Sequence, residues 1–248
     1  MKKLLTLTAV LAFVAVSANA ETLTNPFYMQ EQGKIMSATS LDFENNSDFG
    51  KMYTLTEDIS YGINDRIQVG ANIAYGYFDP KPSGVDSIDD FTNPSIYGYY
   101  RLLNESFNLD LGASVELGLF DNDMTEKDYA YSAIVRASKV INQFSFGASA
   151  TYTYVDPDNS AADSTSNVGI YAYGLYNINE QWAAGIDAGY AFNAIGEDYD
   201  SNPFTVRAIG TFEPKENMGF FAYVGMADLD EEGIDDSLVA GLTFKVLF

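Results

Sequence analysis

The chain contains no cysteine and no histidine among its 248 residues. Without cysteine there are no disulfides, no thiolate metal site and no lipidated N-terminal cysteine. An envelope protein that folds without redox chemistry is compatible with that lack. Without imidazole there is no Ser-His or Asp-His catalytic pair and no His-ligated zinc. Basic residues are scarce: 13 Lys and Arg stand against 35 Asp and Glu, a net charge of −22. Electrostatic binding to nucleic acid or to an anionic membrane surface is thereby excluded. So acidic a chain is often disordered, but 17 Phe and 18 Tyr argue for folding. Beyond the N-terminus no apolar run approaches the roughly 18 residues of a spanning helix.

The first twenty residues read as a cleaved signal peptide. Lys2 and Lys3 give a positive start, an apolar run follows from Leu4 to about Val16, and Ala18-Asn19-Ala20 is a small-x-small cleavage site. The mature chain is expected to begin at Glu21 and to form one domain. Residues 21–33 are expected as a segment without alternation, either tucked into the fold as a plug or free in the periplasm. Residues 34–248 are expected to form the fold proper.

What is abundant is period-2 alternation. Phe144, Phe146, Ala148, Ala150, Tyr152 and Tyr154 alternate with Gln143, Ser145, Gly147, Ser149, Thr151 and Thr153. Trp182 to Phe192 and Leu238 to Phe248 repeat the pattern. The predicted strands exceed the usual five or six residues of globular sheets and suit a tilted membrane-spanning strand. Tyr75 with Tyr77, Tyr129 with Tyr131 and Tyr190 with Phe192 sit near the ends of apolar faces, as in an interfacial girdle. The opposite faces carry Gly, Ser, Thr and Ala, where a soluble core would place large apolar groups.

Turn signals recur at Asn64-Asp65, Asn104-Glu105, Asn142-Gln143, Asn179-Glu180 and Lys215-Glu216-Asn217. Longer acidic loops lie between them, at about 43–50, 79–91, 121–128, 156–166, 193–203 and 228–236. Six long loops alternating with five short turns predict an all-β fold, a transmembrane antiparallel up-and-down barrel of about twelve strands. Its first strand, near Lys34–Asp42, is expected to pair with its last. Short turns face the periplasm and long loops the outside in such barrels. The long loops and their flanks hold 23 of the 35 acidic residues, which gives the chain a polarity.

Turning each apolar face to lipid places Asp58, Arg101, Asp110, Glu116, Arg136, Asp187, Arg207, Glu213 and Lys245 in the lumen. These are candidates for a pore lining in which both signs of charge set selectivity. The other reading is a set of salt bridges bracing a filled barrel. Glu57 breaks the alternation, and a bulge or a place near the membrane surface is expected to relieve it. Asp121 to Asp128 and Asp156 to Ser160 resemble Ca²⁺ loops only in part, and solvated acidic loops are the expected reading. No cofactor is expected.

Phe248, with Val246, Phe244 and Leu242 on one face, resembles the C-terminal signal read by the barrel-assembly machinery. Glu57-Asp58-Ile59-Ser60-Tyr61-Gly62-Ile63-Asn64-Asp65-Arg66-Ile67-Gln68-Val69-Gly70 resembles a hairpin of the outer-membrane family linked to the meta-pathway of phenol degradation. Asn93-Pro94 with Tyr99-Tyr100-Arg101-Leu102 is similar to that family's next strand. The resemblance implies a transporter-like channel for small hydrophobic or aromatic compounds.

The expected function is a passive outer-membrane channel for small solutes, with acidic loops favouring cations. Expected partners are outer-membrane lipids and lipopolysaccharide, the barrel-assembly machinery and small solutes, with no nucleic acid. The alternative is a structural or adhesive barrel acting through its acidic extracellular loops. An enzyme is not expected: Asp110 and Glu116, six residues apart on one face, lie about 20 Å apart, too far for paired acid–base work.

Overall fold

Backbone N–H and C=O groups in hydrocarbon have no water to bond, so a spanning sheet must close on itself. The computed structural model describes residues 22–81, 86–105, 107–122, 127–157, 164–195, 203–229 and 236–248. The expected signal peptide, residues 1–20, and parts of the acidic loops, including the centres of both Ca²⁺-like clusters, lie outside the described residues. Among the described residues no helix is long and apolar enough to cross a membrane, and no cluster of metal-ligating side chains occurs.

The strands in chain order are β1 (Ile35–Asn46), β2 (Gly50–Asn64), β3 (Ile67–Pro80), β4 (Ile88–Phe91), β5 (Ser95–Asn104), β6 (Asn108–Glu116), β7 (Tyr129–Ile141), β8 (Phe144–Asp156), β9 (Thr165–Asn177), β10 (Trp182–Ile195), β11 (Phe204–Lys215), β12 (Met218–Leu229) and β13 (Ser237–Leu247). All the pairings are antiparallel between successive strands of the wall, and β1 pairs with β13 from Met36↔Leu247 to Asn46↔Ser237. That last pairing closes a twelve-strand barrel.

Thirteen segments make twelve strands because β4 and β5 are two pieces of one staves' length of wall. Both pair with β3, β4 through Tyr75↔Phe91 and β5 through Asn72↔Ser95. Three residues, Thr92, Asn93 and Pro94, there oppose two, Ile73 and Ala74, which is a bulge. Pro94 has no N–H to offer the ladder, so it belongs at such a break. Asn93 Oδ1 accepts the amides of Leu119 (3.0 Å) and Phe120 (2.9 Å), tying the chain beyond β6 to the bulge.

The five predicted short turns all fall between paired strands. The first long loop is shorter than the acidic composition of 43–50 predicts. Strand β1 runs to Asn46 and β2 starts at Gly50, leaving a three-residue turn. Asn46 Oδ1 accepts the amides of Asp48 (2.8 Å) and Phe49 (3.1 Å), and Gly50 takes a φ of 133° that a side chain would not tolerate.

The outward faces carry the large apolar side chains. Ile59, Leu111, Ile170, Ile186 and Leu242 are exposed, as lipid-facing residues of a barrel must be. Tyr77, Tyr129, Tyr131 and Tyr190 mark one rim of this surface; Tyr61, Tyr100, Phe144, Tyr176 and Trp182 mark the other. An apolar concavity of about 880 Å³ between Ile59, Tyr61, Val69, Ile96 and Val115 is formed on this lipid-facing side of the wall.

Glu57 has neither of the two reliefs expected for it. The β1–β2 and β2–β3 registers run unbroken through it, and it lies midway along the fifteen residues of β2. It faces out of the barrel, where Ser37 Oγ donates to Oε1 (2.7 Å) and Thr39 Oγ1 donates to Oε2 (2.6 Å). Two hydroxyls on the neighbouring strand satisfy a carboxyl group that the bilayer cannot.

Candidate functional site in the barrel lumen

The nine charged residues selected from alternation all occupy inward-facing positions, and the strand registers bring several of them together. Arg101, Asp110 and Arg136 are direct cross-strand partners on β5, β6 and β7. Asp110 Oδ1 accepts Arg101 Nε at 2.8 Å, and Oδ2 accepts Arg136 Nε at 2.9 Å and Arg101 Nη2 at 3.2 Å. The carboxylate is 1% exposed, so each oxygen is held by a guanidinium rather than by water. Across the lumen Asp187 and Arg207 are likewise opposite one another on β10 and β11. That pair is bidentate, Nε to Oδ1 at 2.8 Å and Nη2 to Oδ2 at 2.9 Å.

Tyrosines extend both clusters. Tyr171 donates to Asp187 (3.1 Å), Arg207 lies 4.3 Å from the centre of the Tyr223 ring, and Tyr223 donates to Asp42 (2.6 Å). Arg136 lies 3.8 Å from the centre of the Tyr99 ring, and Tyr97 donates to Asp58 (2.8 Å). The inward glycines seat these rings. A Cβ on Gly70 would meet the Tyr97 ring at 2.4 Å, and one on Gly147 would meet the Tyr173 ring at 2.2 Å. Each glycine is the cross-strand partner of its tyrosine.

The segment before β1 lies inside the barrel. Leu23, Thr24, Asn25, Phe27, Met29 and Gln30 are all buried. Asn25 Oδ1 accepts the Phe27 amide (2.8 Å) and the Tyr173 hydroxyl (2.8 Å), which shapes a turn around Pro26 and pins it to β9. Phe27 packs edge-on against Tyr173 at 5.2 Å and Tyr171 at 6.1 Å. Gln30 Nε2 donates to Ser60 on β2 (2.8 Å). Glu213 Oε1 accepts both the amide and the hydroxyl of Thr24 (2.6 Å each), and Lys245 Nζ donates to the Leu23 carbonyl (3.3 Å). The contacts thus reach β2, β9, β11 and β13, near the short-turn end of each strand, so the segment crosses that mouth of the barrel.

Glu116 lies apart from these clusters, opposite Ser95 near the loop end of β6. Sequence reasoning missed Asp42, Thr24, Asn25, Gln30 and the four tyrosines 97, 99, 171 and 223. Asp42 ends the expected first strand, which in fact runs on to Asn46. The tyrosines alternate with lipid-facing residues and stand opposite glycine, a signal that a search confined to charge does not register.

A cavity of about 360 Å³ lies in the lumen between the segment and the wall. Tyr28 borders it from the segment, and Asp58, Tyr97, Tyr99, Arg136 and Lys245 from the strands.

No protein-family model matches the chain, and no curated protein matches it by sequence. Among solved structures it is similar to an outer-membrane channel from Pseudomonas putida F1, at 12% identity and a TM-score of 0.70, covering 92% of this chain and 100% of that one. It is also similar to the NanC porin, at 11% identity and 0.60, covering 84% and 98%. The KdgM porin in complex with disordered oligogalacturonate matches at 10% identity and 0.54, again covering 84% and 98%. At these identities the likeness establishes the fold, that of an outer-membrane β-barrel. The resemblance to the phenol meta-pathway family rests on the residues of its hairpin and next strand alone.

Proposed function

We propose that the chain is a passive outer-membrane channel for small solutes, held in a closed form by its own N-terminal segment. The observation that carries this reading is the burial of Leu23 to Gln30 across the short-turn mouth of a lumen lined with charges of both signs. A barrel meant only as a scaffold gains nothing from a charged lining, since buried ion pairs contribute little net stability. A channel uses such a lining to select what passes. The acidic loops concentrate cations at the outer mouth, and the resemblance to the phenol meta-pathway family adds small hydrophobic compounds as a candidate solute class.

Catalysis does not fit the lining. The chain has no histidine, and the Asp110 carboxylate is occupied by two guanidiniums. Phe248 is exposed at the end of the lipid-facing row of Leu242, Phe244 and Val246 and exchanges backbone bonds with Ile35. That placement suits recognition by the barrel-assembly machinery.

The test compares single-channel currents of the refolded protein beginning at Glu21 with those of the same protein lacking residues 21–32. The closed-channel reading expects small or rare steps from the first and large, discrete steps from the second. A folded barrel that stays silent after the deletion would sink the channel reading and favour the structural or adhesive one.

A further inference from the structure

We propose that the 360 Å³ lumen cavity is a binding site for a small organic carboxylate, its carboxylate held between Arg136 and Lys245. This deepens the channel reading by naming a solute class, and it rests on that reading for its physiological meaning.

The cavity wall holds cationic donors without acceptors. Arg136 spends Nε on Asp110, while its Nη2 is buried and has no hydrogen-bond partner among the described residues. The side chain is 7% exposed and stacks on Tyr99, so the unused N–H bonds have a fixed direction. Lys245 has three donors, of which the Leu23 carbonyl takes one, at 3.3 Å. Each carboxylate nearby has a hydrogen-bond partner other than Lys245. Asp58 accepts from Tyr97, Asp110 is shared by two arginines, and Glu213 accepts from Thr24. Two cations therefore border the cavity with donors to spare, against one carboxylate that has a partner.

A buried donor left without an acceptor is destabilising, and more so when it is charged. Such a deficit is tolerated where a ligand supplies the missing acceptor. A carboxylate has the charge and the two oxygens to bridge a guanidinium edge and an ammonium. The rest of the ligand would rest against Tyr28, Tyr97 and Tyr99, whose ring faces favour an apolar or aromatic body. Gln68 adds a buried, unpartnered Oε1 at the same cavity, an acceptor for a hydroxyl on that body.

The probe is benzoate, with benzyl alcohol as its uncharged counterpart, titrated calorimetrically into the refolded full-length mature protein. The expected result is saturable binding of one benzoate per barrel and at least tenfold weaker binding of benzyl alcohol. Lys245→Met, which leaves the Arg101–Asp110–Arg136 cluster whole, should weaken benzoate at least tenfold while the folded barrel keeps its gel mobility. Arg136→Met should do the same if it folds. Equal affinity for benzoate and benzyl alcohol, no saturable heat, or an unchanged affinity in Lys245→Met each overturns the site. Benzoate binding by a barrel that never conducts would leave the site standing and remove the channel. Conduction without benzoate binding or block would do the reverse.

Discussion

Asp110 and Glu57 are carboxylates on opposite faces of the same wall, and their partners differ as their solvents do. Asp110 faces the lumen and is held by two guanidiniums. Glu57 faces lipid at the middle of its strand and is held by two hydroxyls, Ser37 and Thr39. The lumen tolerates full charge because a charge there can be given an opposite one on the next strand, as at Asp110 and Asp187. The lipid face has no room for a counter-ion, since each added charge would meet hydrocarbon. At Glu57 polar satisfaction comes from short neutral side chains one strand away. Binary patterning therefore has a second level in this barrel: the face decides both which residues are allowed and which partners an exception needs.

The largest effect is expected at the lumen carboxylate. Asp110→Ala leaves two buried guanidiniums without their shared counter-ion, and breaking a buried pair in this way costs about 3–5 kcal/mol. Urea unfolding of the protein refolded into lipid vesicles measures it. A loss below about 1 kcal/mol would mean that water or another acid already serves Arg101 and Arg136, and the contrast between the two faces would fail.

Next is a charge forced onto the lipid face. Ala148 lies outward near the middle of β8, opposite Ala137 and Ala172. Ala148→Arg places a cation there with no acceptor nearby, for a loss of about 2–4 kcal/mol at mid-depth. Unchanged stability in the same refolding assay would show that this stretch of wall does not meet hydrocarbon.

The closed twelve-strand barrel was legible in the sequence because each of its rules is local. Alternation fixes facing, asparagine-bearing turns fix the hairpins, and an even number of strands brings β1 back to β13. The lumen charges followed from facing alone. Their pairing did not, because Arg101, Asp110 and Arg136 meet only once three strands are placed in register. The path of Thr24, Asn25 and Gln30 was still less accessible. A segment without periodicity carries no signal of where it packs, and its partners Glu213, Tyr173 and Ser60 are up to 189 residues distant. Loop lengths misled for a different reason. Residues such as Glu44 read as loop by their acidic surroundings, yet the strand extends through it.

The smallest effect, and the sharpest use of the contrast, is at Glu57. Glu57→Leu removes two hydrogen bonds, each worth about 1 kcal/mol net, and leaves the Ser37 and Thr39 hydroxyls to bond other acceptors. It also replaces a carboxyl group in hydrocarbon with a side chain like those of its neighbours Leu55 and Ile59, which offsets the loss. The net change is expected to lie within about 1 kcal/mol of zero, because the two terms are of similar size and opposite sign. The same lipid-vesicle unfolding measures it beside Asp110→Ala. A loss at Glu57 as large as that at Asp110 would show that the outer carboxyl is held by more than two hydroxyls. The lipid face would then tolerate a strongly bound charge, and the distinction between the two faces would collapse.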